Sequence, residues 1–572
     1  MEEVEQLALG GIDWLVVALY FAAIFGIAIW ATIQERKGEA SSADYFLAGR
    51  NVGWFVVGAS LFASNIGSEH LIGLAGTGAD SGVAVGQFEV LASLILLLLG
   101  WVFVPFYVAS GVFTMPEFLE RRYSSGARWY LATISIVGYV LTKISVTIFA
   151  GGVVFTAIGV PFWWGAAVVV GVTGLYTVLG GLRAVLYTDL IQVFVLIGGA
   201  LAVTVLGIAE LGGLGALRSA VPASFFDMWQ PMSHPDFPWT GILFGAPILA
   251  VWYWCTDQFI VQRTLSARNI DNARRGSIFA GYLKLLPVFI FVIPGVVAYA
   301  LQQEGLLQLQ QADQALPVLV GTLLPVGLRG VVVAGLLAAL MSSLSSVFNS
   351  CSTLVTWDVY RELYPDASER QLVWVGRLST VLLTVLGLAW IPLMDYVSDQ
   401  LYTYLQSVQS YISPPIAAVF LLGVFWKRVN ARGAMSSLLT GFVLGAARLV
   451  LELVNGPAAT GLPAGSIWAY IAEINFLHFA IILFLICVAV LVGVSLLTQP
   501  PPRRKVAGLT YATADEPVMG LDEEDAEEEV PAAATSESSP SHEDPSSRWR
   551  RIDLWLTAGL IVGVLATWLY FS

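Results

Sequence analysis

The sequence predicts an all-α polytopic membrane protein with fourteen transmembrane helices, and three observations support this fold class. Of the 572 residues, 57% are hydrophobic and only 12% are charged. Apolar runs of about twenty residues, the length that crosses a bilayer as a helix, recur along nearly the whole chain. These runs are continuously apolar, whereas the strands of a membrane β-barrel alternate, so a barrel is excluded.

The fourteen apolar segments are centred near residues 22, 65, 98, 143, 171, 199, 251, 289, 342, 381, 412, 444, 483 and 562. Their orientation follows from Lys and Arg, because basic residues are retained on the cytoplasmic side in short loops. With the N-terminus outside, 23 of the 28 basic residues fall in the inside loops or the tail, and only Arg218 and Arg329 fall outside. The other three, Lys143, Lys284 and Arg448, fall within spans. We therefore expect a multi-pass protein of the cell membrane, plasma or inner, with both termini outside.

Five regions can be assigned along the chain. They are an extra N-terminal helix at residues 11–33, a core at 53–425, two C-terminal helices at 434–498, a linker at 499–551 and a terminal helix at 552–572. The linker contains the stretch from Glu516 to Ser547, which is acidic, rich in Ser and Pro, and nearly free of aromatic residues. Such a segment buries too little apolar surface to fold alone, so we expect it to be disordered on the cytoplasmic side.

Motifs of soluble enzymes are absent from the sequence. Cys255, Cys351 and Cys487 lie in or beside predicted spans, which gives neither a disulfide framework nor a metal-ligand spacing. There is no phosphate-binding glycine loop, zinc signature or nucleophile elbow. We therefore expect neither an enzyme nor a nucleic-acid partner.

Two predicted spans are interrupted by polar residues. The second span contains "ASNIGSEHLIGLAGTG", from Ala63 to Gly78, and the seventh contains "WYWCTDQFIVQR", from Trp252 to Arg263. Irregular backbone and ionisable groups survive at membrane depth only where protein or a water-filled cavity surrounds them. Corresponding interruptions five segments apart are typical of an inverted-repeat transporter with discontinuous helices.

Further polar residues occur singly within spans: Glu89, Lys143, Asp189, Lys284, Gln406, Gln409 and the serine run from Met341 to Ser352. Each has a purely structural interpretation. Serines often bond to their own helix or join helices, lysines can snorkel, and Glu89 lies only about one turn into its span. Together they would leave several polar groups buried, which favours one shared hydrated cavity.

Several motifs in order give the chain a specific resemblance. They include the two interrupted stretches above, "TMPEFLERRY", "LYTVLGGLRAVLYTDLIQ", "GYLKLLP", "ALMSSLSSVFNS" and "SPPIAAVFLLGVFWKRVN". From about residue 11 to 498 the sequence resembles the sodium:solute symporter family, in its sodium/glucose cotransporter branch. The resemblance implies a LeuT-like inverted five-plus-five helix core at residues 53–425, with repeats at about 53–210 and 240–425. The first and sixth core helices would be broken.

The resemblance also implies a sugar site. The branch holds sugar hydroxyls with an amide, an imidazole, a carboxylate, an aromatic pair, a lysine and a glutamine. The matching residues here are Asn65, His70, Glu89, Tyr253, Trp254, Lys284 and Gln406. Tyr253 would also form the inner gate, and the outer gate would consist of Leu74, Phe88 and Tyr402. This chemistry suits a hexose, since charged and amide groups read hydroxyls while an aromatic face covers the C–H side of the ring.

Sodium is the co-transported ion that the resemblance implies. One site would use the carbonyls of Ala63, Ile66 and Ala339 with the hydroxyls of Ser342 and Ser343. A possible second site would use Asp189 with Ser64, Ser345 and Ser346. The implied function is sodium-coupled import of a glucose- or galactose-type hexose across the bilayer by alternating access. A symporter of another polyol, such as myo-inositol, is the alternative, followed by a non-transporting sugar sensor.

Overall fold

The computed structural model describes residues 9–35, 42–67, 69–157, 159–309, 311–394, 401–455, 461–463, 465–519 and 545–572. The described part is helical, and its single β-bridge joins Val52 to Ala267. The N-terminal half contains the helices Gly11–Glu35, Ser42–Leu47, Trp54–Asn65, Ala75–Ser81, Gln87–Leu98, Val104–Ala109, Met115–Arg122, Ser125–Tyr139, Ser145–Ala157 and Phe162–Glu210. Short π-helical turns, Glu69–Leu74, Leu99–Phe103 and Val140–Ile144, connect several of them.

The C-terminal half continues in the same way. Its helices are Leu214–Ala220, Ala246–Val251, Gln258–Leu265, Ile270–Leu283, Ile293–Gln303, Ala315–Leu323, Leu328–Leu354, Arg361–Leu363, Glu369–Met394, Leu401–Phe425, Ala431–Asn455, Ile467–Glu473, Phe476–Leu497 and Pro545–Tyr570. The π-helical turns here are Gly241–Gly245, Trp252–Thr256, Val288–Val292 and Val355–Tyr360.

The predicted apolar segments all coincide with helices. Among the described residues, ten helices are long and apolar enough to cross a membrane, and they contain ten of the fourteen predicted centres. Three further centres lie in the shorter apolar helices Trp54–Asn65, Phe162–Val178 and Gly241–Thr256. The centre near residue 143 lies in the helical stretch between Ser125 and Ala157. The chain is therefore a multi-span helical membrane protein.

One long helical run turns sharply at a glycine. Between Phe162 and Glu210 the chain changes direction at Gly181, whose φ is +49°. A Cβ at this position would lie 2.5 Å from the carbonyl oxygen of Tyr45. Glycine is therefore required here for two reasons. The backbone is left-handed, and the segment that contains Tyr45 approaches too closely for a side chain.

The centre of the protein is the helix Leu328–Leu354, in which nearly every side chain is buried. The helix Phe162–Glu210 packs along it. The first broken helix, defined as Trp54–Asn65 with its continuation to Ser81, packs closely on Ile270–Leu283. At their contact, a Cβ on Gly58 would lie 2.6 Å from the carbonyl oxygen of Gly276. Such close backbone approach through small residues is common between membrane helices.

The C-terminal part is packed on this core more extensively than the sequence predicts. Within the segment assigned to the linker, residues 499–519 are described, and Lys505 Nζ donates to the carbonyl oxygen of Glu120 at 2.6 Å. Residues 520–544 lie outside the described part. The last helix begins at Pro545, ahead of the predicted 552, and its buried Asp553 pairs with Arg275 at 2.8 Å.

Candidate functional site

The first broken helix unwinds within the polar stretch from Ala63 to Gly78. Helical hydrogen bonding from Trp54 ends at Asn65, and Ile66 takes an extended conformation with φ −77° and ψ 100°. The chain bends at Gly67, whose carbonyl oxygen accepts hydrogen bonds from the backbone of His70 and Leu71 as the helix resumes. The break interrupts the helical hydrogen-bond ladder, and the carbonyl oxygens of Ser64 and Ile66 beside it lie within reach of the Ser343 hydroxyl.

A second broken helix crosses the same region. It runs from Ala246–Val251 through the π-helical turn Trp252–Thr256 to Gln258–Leu265. The break falls at Asp257, which has φ −77° and ψ 125°. Its carboxylate caps the following helix by accepting the backbone N–H of Phe259 at 3.2 Å. Both predicted interruptions are therefore breaks in the structure, at the positions where polar residues replace the apolar pattern.

A cavity lies between the two breaks and contains all the predicted sugar-binding residues. Its lining includes Asn65, His70, Glu89, Tyr253, Trp254, Lys284 and Gln406. Apolar side chains and Gln409 complete the wall. About 600 Å³ of space not occupied by atoms lies among these residues, including part of the opening to solvent. Residues from five separate stretches of sequence thus meet around one space.

Five polar side chains of this cavity are joined in one network. The ammonium of Lys284 contacts the carboxylate of Glu89 and lies 2.5 Å from Asn65 Oδ1. His70 Nε2 lies 3.3 Å from the other oxygen of Glu89, Oε1. Asn65 Nδ2 donates to the Tyr253 hydroxyl at 2.9 Å. Lys284 does not snorkel and Glu89 does not point to outside water, because both are buried in this ion pair.

The composition of the cavity suits a polyhydroxylated ligand. Its donors and acceptors include an ammonium, a carboxylate, an imidazole and three amides, each able to bond a hydroxyl that both donates and accepts. Trp254 and Tyr253 place aromatic rings on the same wall, with Lys284 Nζ 5.5 Å from the centre of the Trp254 ring. Aromatic faces cover the apolar C–H surfaces of such a ligand, while the charged groups fix its orientation.

The predicted gate residues divide into two groups. Phe88 and Tyr253 line the cavity directly, Phe88 half-buried and Tyr253 buried. Leu74 is fully buried at the end of the π-helical turn that follows the first break. Tyr402 is part of the helix Leu401–Phe425, but its side chain lies outside the described residues.

The candidate sodium ligands form a second polar group beside the first break. Ser343 Oγ lies 3.2 Å from the carbonyl oxygen of Ser64 and 3.3 Å from that of Ile66. The predicted carbonyls of Ala63 and Ala339 belong to residues that are also buried. The closer carbonyl contact of Ser343 is thus with Ser64, one residue after the predicted Ala63. Carbonyl and hydroxyl oxygens around unwound backbone are suitable ligands for sodium.

Asp189 is the centre of the other candidate cation group. Its carboxylate accepts hydrogen bonds from Ser342 at 2.5 Å, Ser60 at 2.5 Å and Ser64 at 3.2 Å. Ser342, predicted for the first sodium site, therefore belongs to the Asp189 group in this structure. Ser346 donates to Ser64 Oγ at 3.0 Å. The hydroxyl of Ser345 instead bonds its own helix at the carbonyl oxygen of Ser342.

Two members of the Asp189 group are absent from the sequence prediction. Ser60 precedes Ser64 by one helical turn, so the i, i+4 spacing was a usable signal for it. Arg263 was counted among the inside-loop basic residues, yet it is fully buried and its Nε lies 2.9 Å from Ser64 Oγ. The tally of basic residues cannot separate an arginine in a loop from one at the end of a buried helix.

The chemistry of these groups favours an alkali cation over a transition metal. Among the described residues, no cluster of three His, Cys, Asp or Glu side chains is placed to hold a metal ion. The oxygens that surround Ser343 and Asp189 come from carbonyls, hydroxyls and one carboxylate. Hard oxygen ligands of this kind fit sodium, while Cys and His suit softer metals.

Comparison with known proteins identifies the family. The sequence model of the sodium:solute symporter family matches residues 45–441. Sodium/glucose cotransporter 4 of Mus musculus is 41% identical over 550 residues, which cover 90% of this chain and 80% of that protein. Sodium/myo-inositol cotransporter 2 of Oryctolagus cuniculus is 38% identical over 563 residues, covering 93% and 82%.

A solved structure supports the fold. The chain is similar to the substrate-bound, outward-open state of a Na⁺-coupled sialic acid symporter, with a TM-score of 0.73 and 22% identity. The match covers 86% of this chain and 99% of that structure. The family model and the similar proteins confirm the predicted resemblance to the sodium:solute symporter family, while the solved structure supports the fold. The chain belongs to the sodium:solute symporter family.

Proposed function

We propose that this sodium-coupled solute symporter imports a hexose of the glucose or galactose type. The observation that carries the proposal is the single buried network of Asn65, His70, Glu89 and Lys284, with Tyr253 bonded to Asn65. These side chains offer several donors and acceptors around one cavity, as recognition of a ring with many hydroxyls requires.

The cavity also argues against apolar solutes. An apolar solute would leave the buried ammonium and carboxylate without compensation for any bond that it displaced, which costs free energy. A sugar replaces such bonds with its own hydroxyls, and it can place a C–H face against Trp254. The relatives named sodium/glucose cotransporters favour a hexose.

A cyclic polyol is the second candidate substrate. The relative named sodium/myo-inositol cotransporter 2 is nearly as similar to this chain as the sodium/glucose cotransporters are. Inositol offers the same hydroxyl chemistry without a ring oxygen, so the network described above would also bond it. The walls of the cavity next to the network include Ala92 and Ala250, where a larger polar side chain would change the choice between the two.

The proposed transport cycle places sodium beside the sugar. Sodium would bind at the carbonyls of Ala63, Ile66 and Ala339 with Ser342 and Ser343, and a second ion could bind at Asp189 with Ser64, Ser345 and Ser346. Ser343 contacts the carbonyl of Ile66, immediately after Asn65 in the sequence, which supports coupling through the first break. An ion that orders this unwound segment also positions the amide that faces the sugar.

The proposed membrane arrangement completes this scheme. It comprises fourteen spans, an inverted five-plus-five core between residues 53 and 425, and both termini outside. The inward electrochemical gradient then drives accumulation of the sugar. One sodium ion crossing about 100 mV releases roughly 2.3 kcal/mol, and a tenfold gradient adds about 1.4 kcal/mol. The sum of about 3.7 kcal/mol supports an accumulation of a few hundred-fold per ion.

Uptake into proteoliposomes tests the function directly. The full chain is reconstituted, and radiolabelled glucose or galactose is presented with an inward gradient of sodium or of choline. We expect uptake with sodium only. Equal uptake with a choline gradient would refute the proposal that sugar import is coupled to sodium. Competition by unlabelled glucose, galactose and myo-inositol, with and without sodium, then distinguishes the two substrate candidates.

A further inference from the structure

Lys143 carries a positive charge at membrane depth that has no role in the proposed sugar site or the proposed sodium sites. It lies in the π-helical turn Val140–Ile144 and is half-buried. Its Nζ lies 4.1 Å from the centre of the Tyr253 ring and 3.9 Å from the centre of the Phe259 ring. An ammonium at these distances is attracted by the negative faces of both rings, more strongly where water is excluded.

The two rings belong to opposite sides of one break. Tyr253 precedes the extended residue Asp257, and Phe259 follows it. The hydroxyl of Tyr139, one helical turn before Lys143, accepts the backbone N–H of Phe259 at 3.3 Å. One face of the Lys143 helix therefore contacts both halves of the second broken helix, and Lys143 spans the break between them.

Lys143 also lines a second cavity, next to the sugar cavity. The second cavity is bounded by Lys143, Thr147, Phe259, Ser343 and Gln409, together with apolar side chains. Gln409 borders the sugar cavity as well. Ser343 is the hydroxyl that contacts the carbonyls of the first break. A cation that leaves the candidate sodium site on the Ser343 side thus enters a space that already contains an ammonium.

We propose that Lys143 is a positioning residue that holds the second broken helix closed and keeps sodium from crossing without sugar. The inference rests on the proposed function, because it takes Ser343 to be a sodium ligand. The contact with both rings stabilises the arrangement on the two sides of Asp257. The same positive charge raises the energy of a second cation in the cavity, where low dielectric strengthens the repulsion.

In this proposal, sugar binding weakens the contact between Lys143 and the Tyr253 ring. Tyr253 is bonded to Asn65, which also bonds Lys284 in the sugar cavity. A sugar that replaces the Asn65–Tyr253 bond changes the position of the Tyr253 ring on which Lys143 rests. The ammonium then loses part of its support, and the path past Ser343 opens only after the sugar has bound.

The test measures sodium flux without sugar in proteoliposomes of the full chain, using a sodium-sensitive dye. Lys143→Met keeps the length of the side chain and removes its charge, and we expect sugar-independent sodium flux to rise at least fivefold. The Michaelis constant for sugar should change less than threefold, because Lys143 does not line the sugar cavity. Lys143→Arg, which preserves the cation, should restore the low flux.

Phe259→Leu provides a matched variant on the other side of the contact. It removes one of the two rings and should raise the flux in the same direction, and it decides the test should Lys143→Met not fold. A sodium flux equal to wild type in a folded Lys143→Met or Phe259→Leu variant would overturn the inference. So would a change confined to the Michaelis constant for sugar, which would make Lys143 a sugar ligand. Failure of wild type to take up any sugar would refute the hexose proposal separately, since sodium flux remains measurable.

Discussion

Lys284 is the residue whose replacement should affect the proposed sugar site most. Its ammonium contacts the carboxylate of Glu89 and the amide oxygen of Asn65, and the side chain is 1% exposed. Lys284→Met keeps a long, flexible side chain of similar bulk and removes the charge. A hydrogen bond to a charged group contributes about 1.5–3 kcal/mol net. Sugar affinity should therefore fall roughly ten- to 150-fold.

The same substitution leaves Glu89 buried with a weaker set of partners. Removing one member of a buried ion pair usually destabilises a protein by about 3–5 kcal/mol. The expected loss lies toward the lower end here, because His70 Nε2 remains 3.3 Å from the carboxylate. Adding Glu89→Gln should recover much of this stability, since the uncompensated charge is then gone, while sugar affinity stays low.

The assay is the sugar concentration for half-maximal uptake at saturating sodium, with the thermal unfolding midpoint followed at one fixed heating rate. Lys427→Met is the matched control, because Lys427 is an exposed lysine outside the cavity. A half-maximal concentration within twofold of wild type in Lys284→Met would refute the role of Lys284 in the sugar site. An unchanged unfolding midpoint would refute the energetic account of the ion pair.

Three further predictions concern sodium, acidity and packing. Ser343→Ala should raise the half-maximal sodium concentration about tenfold, the equivalent of about 1.4 kcal/mol, whereas Ser352→Ala, whose hydroxyl bonds its own helix outside both proposed sodium sites, should leave it unchanged. Burial and a neighbouring carboxylate raise the pKa of Asp313 to about 6, so stability should decline as pH rises from about 4 to 6. Asp313→Asn should remove that part of the decline in the unfolding midpoint. Gly58→Ala should lower the midpoint, because its Cβ would lie 2.6 Å from a carbonyl oxygen, while Gly171→Ala, with open space around it, should not.

The sequence indicates which polar residues share a cavity because their chemistry is conspicuous in an apolar background. Asn65, Glu89 and Lys284 are polar side chains at membrane depth, and each needs a partner to compensate its burial. Their meeting in one cavity is what that requirement predicts, although the distances that join them come only from the fold.

The cation groups are predicted less well, for a geometric reason. The serines of one helix all offer the same hydroxyl group. Because successive residues point about 100° apart, each hydroxyl meets different neighbours. Ser342 faces Asp189, Ser343 faces the first break, and Ser345 bonds back to its own helix. Arg263 is a further example, because the pattern of basic residues shows its positive charge but not that its side chain is buried. Such assignments require knowledge of helix rotation, which periodicity alone does not supply.

The network around Lys284 has a consequence for how tightly the protein holds its cargo. Lys284, Glu89, Asn65, His70 and Tyr253 bond one another directly. A solute that bonds to them exchanges these bonds for new ones, and each exchange gains less free energy than a bond to a buried group without a partner would. Loose, readily reversed binding follows from this pre-satisfied site, and a carrier that must let go of its solute on every turnover benefits from it.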